Sequence, residues 1–339
     1  MSKWRSVFST LFLLLFSMLL LSGCTFKIPK LSPHEKVSLS NLPAEALFIN
    51  KDAIYNQTLS LINSAKTSIY VEQVEFDEPQ LIELLIAKAH SGIDVRILLD
   101  QWQKVNRATL EQLKSQNVSV QFYPAQKGQI DHTKYLVIDQ TQALIYGPAW
   151  TDDGLSTHDL AVELSGRSAW KAASLFSKDW EFTTTLPLTV AKTSPLAEDN
   201  IVLATNASVK QQLTEQISGS TKSIWIEISE ITDPDLIQSL TDVAGKGREV
   251  HLVVDRAVAN KTTIETLKAK GVRIRYYPSQ STQGLHLAIF DNTSFLLTSS
   301  AWTHSSFITN HELSITVPSP TASAKLSEMY KQDWAKSTE

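Results

Sequence analysis

Apolar and polar positions along the chain fall into strand-like and helix-like patterns that follow one order and then repeat it. Residues 68 to 75, beginning Ser68-Ile-Tyr-Val-Glu72, read as a strand. Asp77-Glu-Pro79 then opens an amphipathic helix with Leu81, Leu84 and Leu85 at helical spacing, and Gly92 ends it. A strand-like run covers 95 to 99. The pattern predicts a helix near 107 to 116, strands near 118 to 123, 134 to 138 and 142 to 146, another near 159 to 164, and a closing helix near 168 to 182. Alternation of this kind marks an α/β unit.

The second half repeats the first at a nearly constant offset. Ser68-Ile-Tyr-Val-Glu72 aligns with Ser223-Ile-Trp-Ile-Glu227, Pro79 with Pro234, Gly92 with Gly247 and Asp100 with Asp255, each 155 residues on. From Leu113 through Tyr123-Pro124 the match is to Leu267 through Tyr277-Pro278 at 154, and Asp179-Trp180 still pairs with Asp333-Trp334 at that offset. Such a match is an internal duplication. The expected units are 46–183 and 201–339, joined by a Thr-, Pro- and Ala-rich linker over 184–200.

The N-terminus belongs to neither unit. Lys3 and Arg5 precede an apolar run over 11 to 21 and then small residues, the form of an export signal. That run is too short for a transmembrane span. It closes as Leu21-Ser22-Gly23-Cys24, which resembles the bacterial lipobox. The resemblance implies removal of residues 1–23 and a diacylglyceryl group on Cys24, the single cysteine of the chain, so the protein would be lipid-anchored in the bacterial cell envelope. Thr25 is a weak pointer to the outer membrane. Residues 24–45, with Pro29, Pro33 and Pro43, read as a tether.

Charge narrows the partners. The formal charge is −4, and loss of Lys3 and Arg5 with the signal leaves −6. Non-specific nucleic-acid binding draws its affinity from Lys and Arg at phosphates, and no basic run is present, so nucleic acid is a disfavoured partner. No spacing suggests a metal site, and no cofactor is expected. His90, His251 and His304 have no chemical context.

The chemistry concentrates in His132-Thr-Lys134, at the mouth of a strand, with Asp139 beyond it. Positions i and i+2 of a strand project to one side, so His132 and Lys134 can meet one ligand. An imidazole can attack phosphorus or protonate a leaving oxygen near neutral pH, and an ammonium stabilises negative charge on non-bridging oxygens. Asp139, an odd number of residues from His132, should face the other way and reads as structural.

His132, Lys134 and Asp139 match the HKD motif of the phospholipase D superfamily, which the chain resembles over nearly its whole mature length. The resemblance implies tandem units, each a mixed β-sheet flanked by helices, related by a pseudo-two-fold that brings their motifs together. It also implies a metal-free reaction through a phosphohistidine: one histidine attacks the diester, the other protonates the departing alcohol, and water or a second alcohol completes the transfer. A downstream acid is expected to hold the imidazole tautomer. Asp159 follows His132 by 27 residues in Thr157-His158-Asp159, and Glu312 follows His286 by 26 in Asn310-His311-Glu312. Only the second triplet keeps the family's Asn-x-Glu.

The second copy departs from the motif, reading Gln283-Gly-Leu-His286-Leu-Ala-Ile-Phe-Asp291. Counted from Pro278, His286 stands opposite His132 and Ala288 opposite Lys134. Counted back from Asp291, His286 stands opposite Lys134 and Gly284 opposite His132. Gaps fall more easily in loops than in strands, which favours the second count. The side chain faces the same way in either, so His286 is the expected partner of His132. Both halves also lack the family's Gly-Ser-x-Asn, having Gly147-Pro-Ala-Trp150 and Ser299-Ser-Ala-Trp302. The two tryptophans read as packing, and Glu72, Glu227, Glu75 and Glu230 as solvated strand edges.

These features favour a phosphodiesterase or phosphatidyltransferase with His132 as nucleophile or acid. A phospholipid is the favoured substrate, because an anchored enzyme meets head groups at high effective concentration. Two other readings stay open: a catalytically impaired binding or scaffold protein, and a metal-independent nuclease. A homodimer that pairs two first-half motifs also stays open.

Overall fold

The computed structural model describes residues 39–40, 42–191, 196–278 and 284–339. The export signal, Cys24 and most of the expected tether lie outside them. Among the described residues no helix is long and apolar enough to cross a membrane.

The first half contains seven strands: β1 (Leu47–Ile49), β2 (Ser68–Gln73), β3 (Asp94–Asp100), β4 (Ser119–Tyr123), β5 (Tyr135–Ile138), β6 (Gln142–Tyr146) and β7 (Leu160–Ser165). They form one sheet in the order β1-β7-β6-β5-β2-β3-β4. β2, β3 and β4 run parallel, and the remaining pairs are antiparallel. Parallel neighbours need a crossover, which the helices Pro79–His90 and Val105–Ser115 supply. The second half follows with β8 (Val202–Thr205), β9 (Ser223–Ile228), β10 (Glu249–Val254), β11 (Arg273–Tyr276), β12 (Leu287–Phe290), β13 (Ser294–Thr298) and β14 (Leu313–Val317). Its order, β11-β10-β9-β12-β13-β14-β8, is the first arrangement read from the other edge. The molecule is thus two similar mixed sheets flanked by helices and related by a pseudo-two-fold.

Local chemistry explains the matching elements. Each first crossover helix starts with proline, whose missing N–H costs nothing there. The preceding acid caps it: Glu78 accepts from the Leu81 N–H at 2.8 Å and Asp233 from the Leu236 N–H at 3.1 Å. Asp139 and Asp291, just past β5 and β12, act as clamps. The Asp139 carboxylate accepts N–H bonds from Lys66, Thr67 and Ser68, and Asp291 does the same for Thr221, Lys222 and Ser223. Despite partial burial, these donors hold the Asp291 carboxyl down at about 2 and also lower Asp139.

Three apolar layers result. Outer cores lie under the crossover helices of each half. A central core joins the inner faces of both sheets with the long helices Gly166–Thr184 and Pro320–Lys336, and includes Phe176, Leu287, Phe295 and Tyr330. Each such side chain contributes on the order of 1.5–3 kcal/mol by burial, so the halves form a shared body. Trp150 and Trp302 are fully buried.

The described end of the expected tether is docked. Leu42 enters the central core, Ser40 donates to the Pro318 carbonyl at 2.7 Å, and Lys325 donates to the Ala44 and Leu47 carbonyls at 2.9 Å. Leu188 and Ile201 anchor the connection between the halves in the same core. Glu72 and Glu227, expected at solvated strand edges, are instead fully buried; the reason lies in the site.

Candidate active site

His132 is held by contacts from both halves. The Asp131 N–H donates to Asp100 Oδ2 at 2.7 Å, and Thr133 donates through N–H and hydroxyl to Asp131 Oδ1 at 3.0 and 2.7 Å. These bonds shape the approach to β5. Across the pseudo-two-fold, the His132 N–H donates to the His311 carbonyl and the His311 N–H to the Ile130 carbonyl, both at 2.9 Å. His132 Nδ1 lies 2.7 Å from Glu312 Oε1. A carboxylate accepts only, so the proton belongs on Nδ1 and the Nε2 lone pair is left for chemistry. Ser299 Oγ donates to the other Glu312 oxygen, fixing the acid in turn.

The acid partner is therefore not the one that chain order suggested. Sequence reading grouped Asp159 with His132 and Glu312 with His286, whereas the hydrogen bond to His132 comes from Glu312 of the opposite half. Packing the halves face to face brings each triplet, Thr157-His158-Asp159 or Asn310-His311-Glu312, against the other half's motif segment. Gly284 N–H donates to the His158 carbonyl at 3.2 Å, the counterpart of the His132 bond to His311.

That pairing also fixes the register of the degenerate motif. The Lys134 carbonyl accepts from Tyr146 N–H at 2.9 Å and the His286 carbonyl from Thr298 N–H at 3.0 Å. His286 thus occupies the lysine's place and Gly284 the histidine's. His286 Nε2 is 2.9 Å from Ser229 Oγ, while its Nδ1 is shielded without a hydrogen-bond partner. Burial first, then the neighbouring Lys134 and His132, push its pKa down to about 3. It is a neutral imidazole at physiological pH.

Lys134 is buried and its ammonium donates to the Ser299 carbonyl at 2.6 Å. Burial lowers its pKa, and the nearby carboxylates of Asp159, Glu312, Asp131 and Glu75 oppose that shift. Asp159 is buried as well. Its Oδ1 accepts from the Leu160 N–H at 2.8 Å, and burial raises its pKa to about 7 against that bond and the charges of Lys134 and His158.

Two further clusters straddle the halves, and the sequence reading did not single them out. His311 Nε2 is 3.3 Å from Asp179 Oδ2 and 3.9 Å from Glu72 Oε1, and its ring stacks on Tyr123 at 4.6 Å. His158 Nε2 is 3.0 Å from Asp333 Oδ2 and 3.5 Å from Glu227 Oε1, with its ring on Tyr277 at 5.3 Å. Burial alone would lower both histidines, but the facing carboxylates of Asp179 and Asp333 and the acids around them raise them. Each set keeps its ligating atoms within 4.8 Å, a spacing that could hold a cation. They are histidine–carboxylate clasps beneath the segments that carry His132 and Gly284. A signal existed: Glu72, Asp179 and His311 match Glu227, Asp333 and His158 in the repeat, and polar residues retained in both copies of an apolar strand or helix face need partners.

A duplicated mixed sheet with a His-x-Lys segment facing an acid across a pseudo-two-fold defines a phospholipase D-like protein. The profile of the family described as "Cardiolipin synthase, PLD-like domain" matches residues 58–180 and again 213–334, and the chain belongs to that family. "Probable cardiolipin synthase YwiE" of Bacillus subtilis (strain 168) is 24% identical over 237 residues, covering 60% of this chain and 47% of that protein. The chain thus matches about half the length of this curated relative. Among solved structures, polyphosphate kinase from Porphyromonas gingivalis superposes with a TM-score of 0.66 at 13% identity, over 90% of this chain and 51% of that one. Phosphatidylserine synthase from Haemophilus influenzae Rd KW20 superposes with a TM-score of 0.65 at 15% identity, over 89% and 90%. At these identities the likeness is one of fold.

Proposed function

We propose that the protein is a phospholipase D-type phosphodiesterase or phosphatidyltransferase that works through a phosphohistidine on His132, with a phospholipid as the favoured substrate. The observation that carries this reading is the Nδ1 bond from His132 to Glu312, which leaves Nε2 as a nucleophile beside the buried Lys134. Lys134 neutralises the non-bridging oxygens, and Glu312 stabilises the charge that His132 acquires. The family and the Bacillus relative are both named for cardiolipin synthesis, which supports transfer of a phosphatidyl group to an alcohol. Anchoring through Cys24 would hold the site near head groups in the bacterial envelope.

The test is turnover of a labelled phospholipid and of bis(p-nitrophenyl) phosphate by the mature protein. His132→Ala is expected to abolish both. Stable binding of intact diester without turnover, weakened by Lys134→Ala, would favour the second reading, a binding or scaffold protein; Gly284 in the histidine's place is the observation behind it. A nuclease ranks third on charge, and would cleave single-stranded DNA without added metal and with steep salt dependence.

A further inference from the structure

The half-site that lacks its histidine is occupied by a carboxyl group. A Cβ on Gly284 would lie 2.8 Å from Asp159 Oδ2 and 2.7 Å from Thr157 Oγ1, closer than real contacts allow. Asp159 therefore leans into the space that a side chain at 284 would use. On its other flank, a Cβ on Gly147 would lie 1.7 Å from Asp159 Oδ1. The opposite half-site has Ser299 at the Gly147 position, and there Glu312 reaches out to an imidazole. Two glycines thus admit one acid where a second histidine is missing. Lys134 is near enough to act on its charge, which ties this acid to the site of His132.

We propose that Asp159 is the general acid and base of the reaction, in the part that the second histidine plays in relatives. The proposal rests on the phosphodiester reading above. In the first step His132 Nε2 bonds to phosphorus and the P–O bond to the leaving alcohol breaks. The Asp159 proton goes to the departing oxygen, leaving phosphohistidine, free alcohol and an aspartate anion. In the second, that anion takes the proton of an incoming water or alcohol whose oxygen displaces His132. An acid is most useful with a pKa near the working pH, and burial sets Asp159 at about 7. The groups that act on it are Lys134, His158 and the Leu160 N–H, and the backbones of Gly147 and Gly284 flank it.

The experiment compares a phospholipid, whose alkoxide must be protonated as it leaves, with a p-nitrophenyl diester, whose phenolate leaves unaided. First-turnover release is measured in wild type and Asp159→Asn. The variant should lose about 10²- to 10⁴-fold on the phospholipid and keep the nitrophenol burst within about tenfold. The wild-type ratio of phospholipid to nitrophenyl rate should also fall as pH rises through about 7, because only the protonated acid helps. Equal loss on both diesters, or no loss on either, overturns the proposal while leaving the phosphodiesterase reading in place. A wild type inert on both diesters overturns the two together. Should Asp159→Asn fail to fold, the wild-type ratio decides alone, and a ratio constant with pH overturns the proposal.

Discussion

The two half-sites occupy equivalent places in a duplicated fold and have diverged in opposite directions. In one, His132, Glu312 and Ser299 form a chain of hydrogen bonds in which every member fixes the next. In the other, Gly284, Asp159 and Gly147 stand at the same three positions, and the acid has withdrawn into space the glycines provide. The acid of each half-site comes from the other half of the chain. The comparison teaches that a duplicated scaffold can keep its framework, including both aspartate clamps and both histidine–carboxylate clasps, while its chemistry becomes one-sided.

Five substitutions probe that comparison, in falling order of effect. His132→Ala should cut turnover by about 10³-fold or more, whereas His286→Ala, which removes a neutral ring bound to Ser229, should cost about tenfold or less; equal losses would make the site symmetric. Glu312→Gln should lower kcat about 10²-fold with little change in KM, since an amide no longer fixes the tautomer or balances the imidazolium. Gly147→Ala should destabilise the fold by about 1–3 kcal/mol through overpacking against Asp159, measured by denaturant unfolding. Asp291→Asn should cost about 1–2 kcal/mol at neutral pH through weaker N–H bonds. The sign is definite: the folded pKa is depressed, so this stability is present above the unfolded aspartate value and is lost as pH falls toward about 2. The variant should show a smaller acid-side loss than wild type.

Much of this was legible in the residues. Strand and helix order followed from apolar periodicity, and the duplication from its nearly constant offset. The broken motif left two registers open; the rule that gaps prefer loops favoured the one with Gly284 opposite His132, which is the register of the structure. The pairing of acids with histidines was not legible. Residue spacing within a copy speaks only of that copy, whereas Glu312 reaches His132 because two separate sheets pack face to face. Glu72 and Glu227 misled for the same reason. A glutamate at a strand's inner end looks solvated until the opposite half supplies His311 or His158 to cover it. Asp159 looked like a shortened Glu312, and its distinct place depends on Gly147 and Gly284, neither adjacent to it in sequence.

The central claim is a one-sided site with a single nucleophilic imidazole, and trapping its intermediate is the most direct test. The protein is mixed with a phosphodiester labelled at phosphorus, quenched in base, and mapped by peptide. A base-stable, acid-labile label on the peptide carrying His132, lost in His132→Ala and retained in His286→Ala, is the expected result. Label on the His286 peptide, or steady turnover without labelled protein, would contradict it.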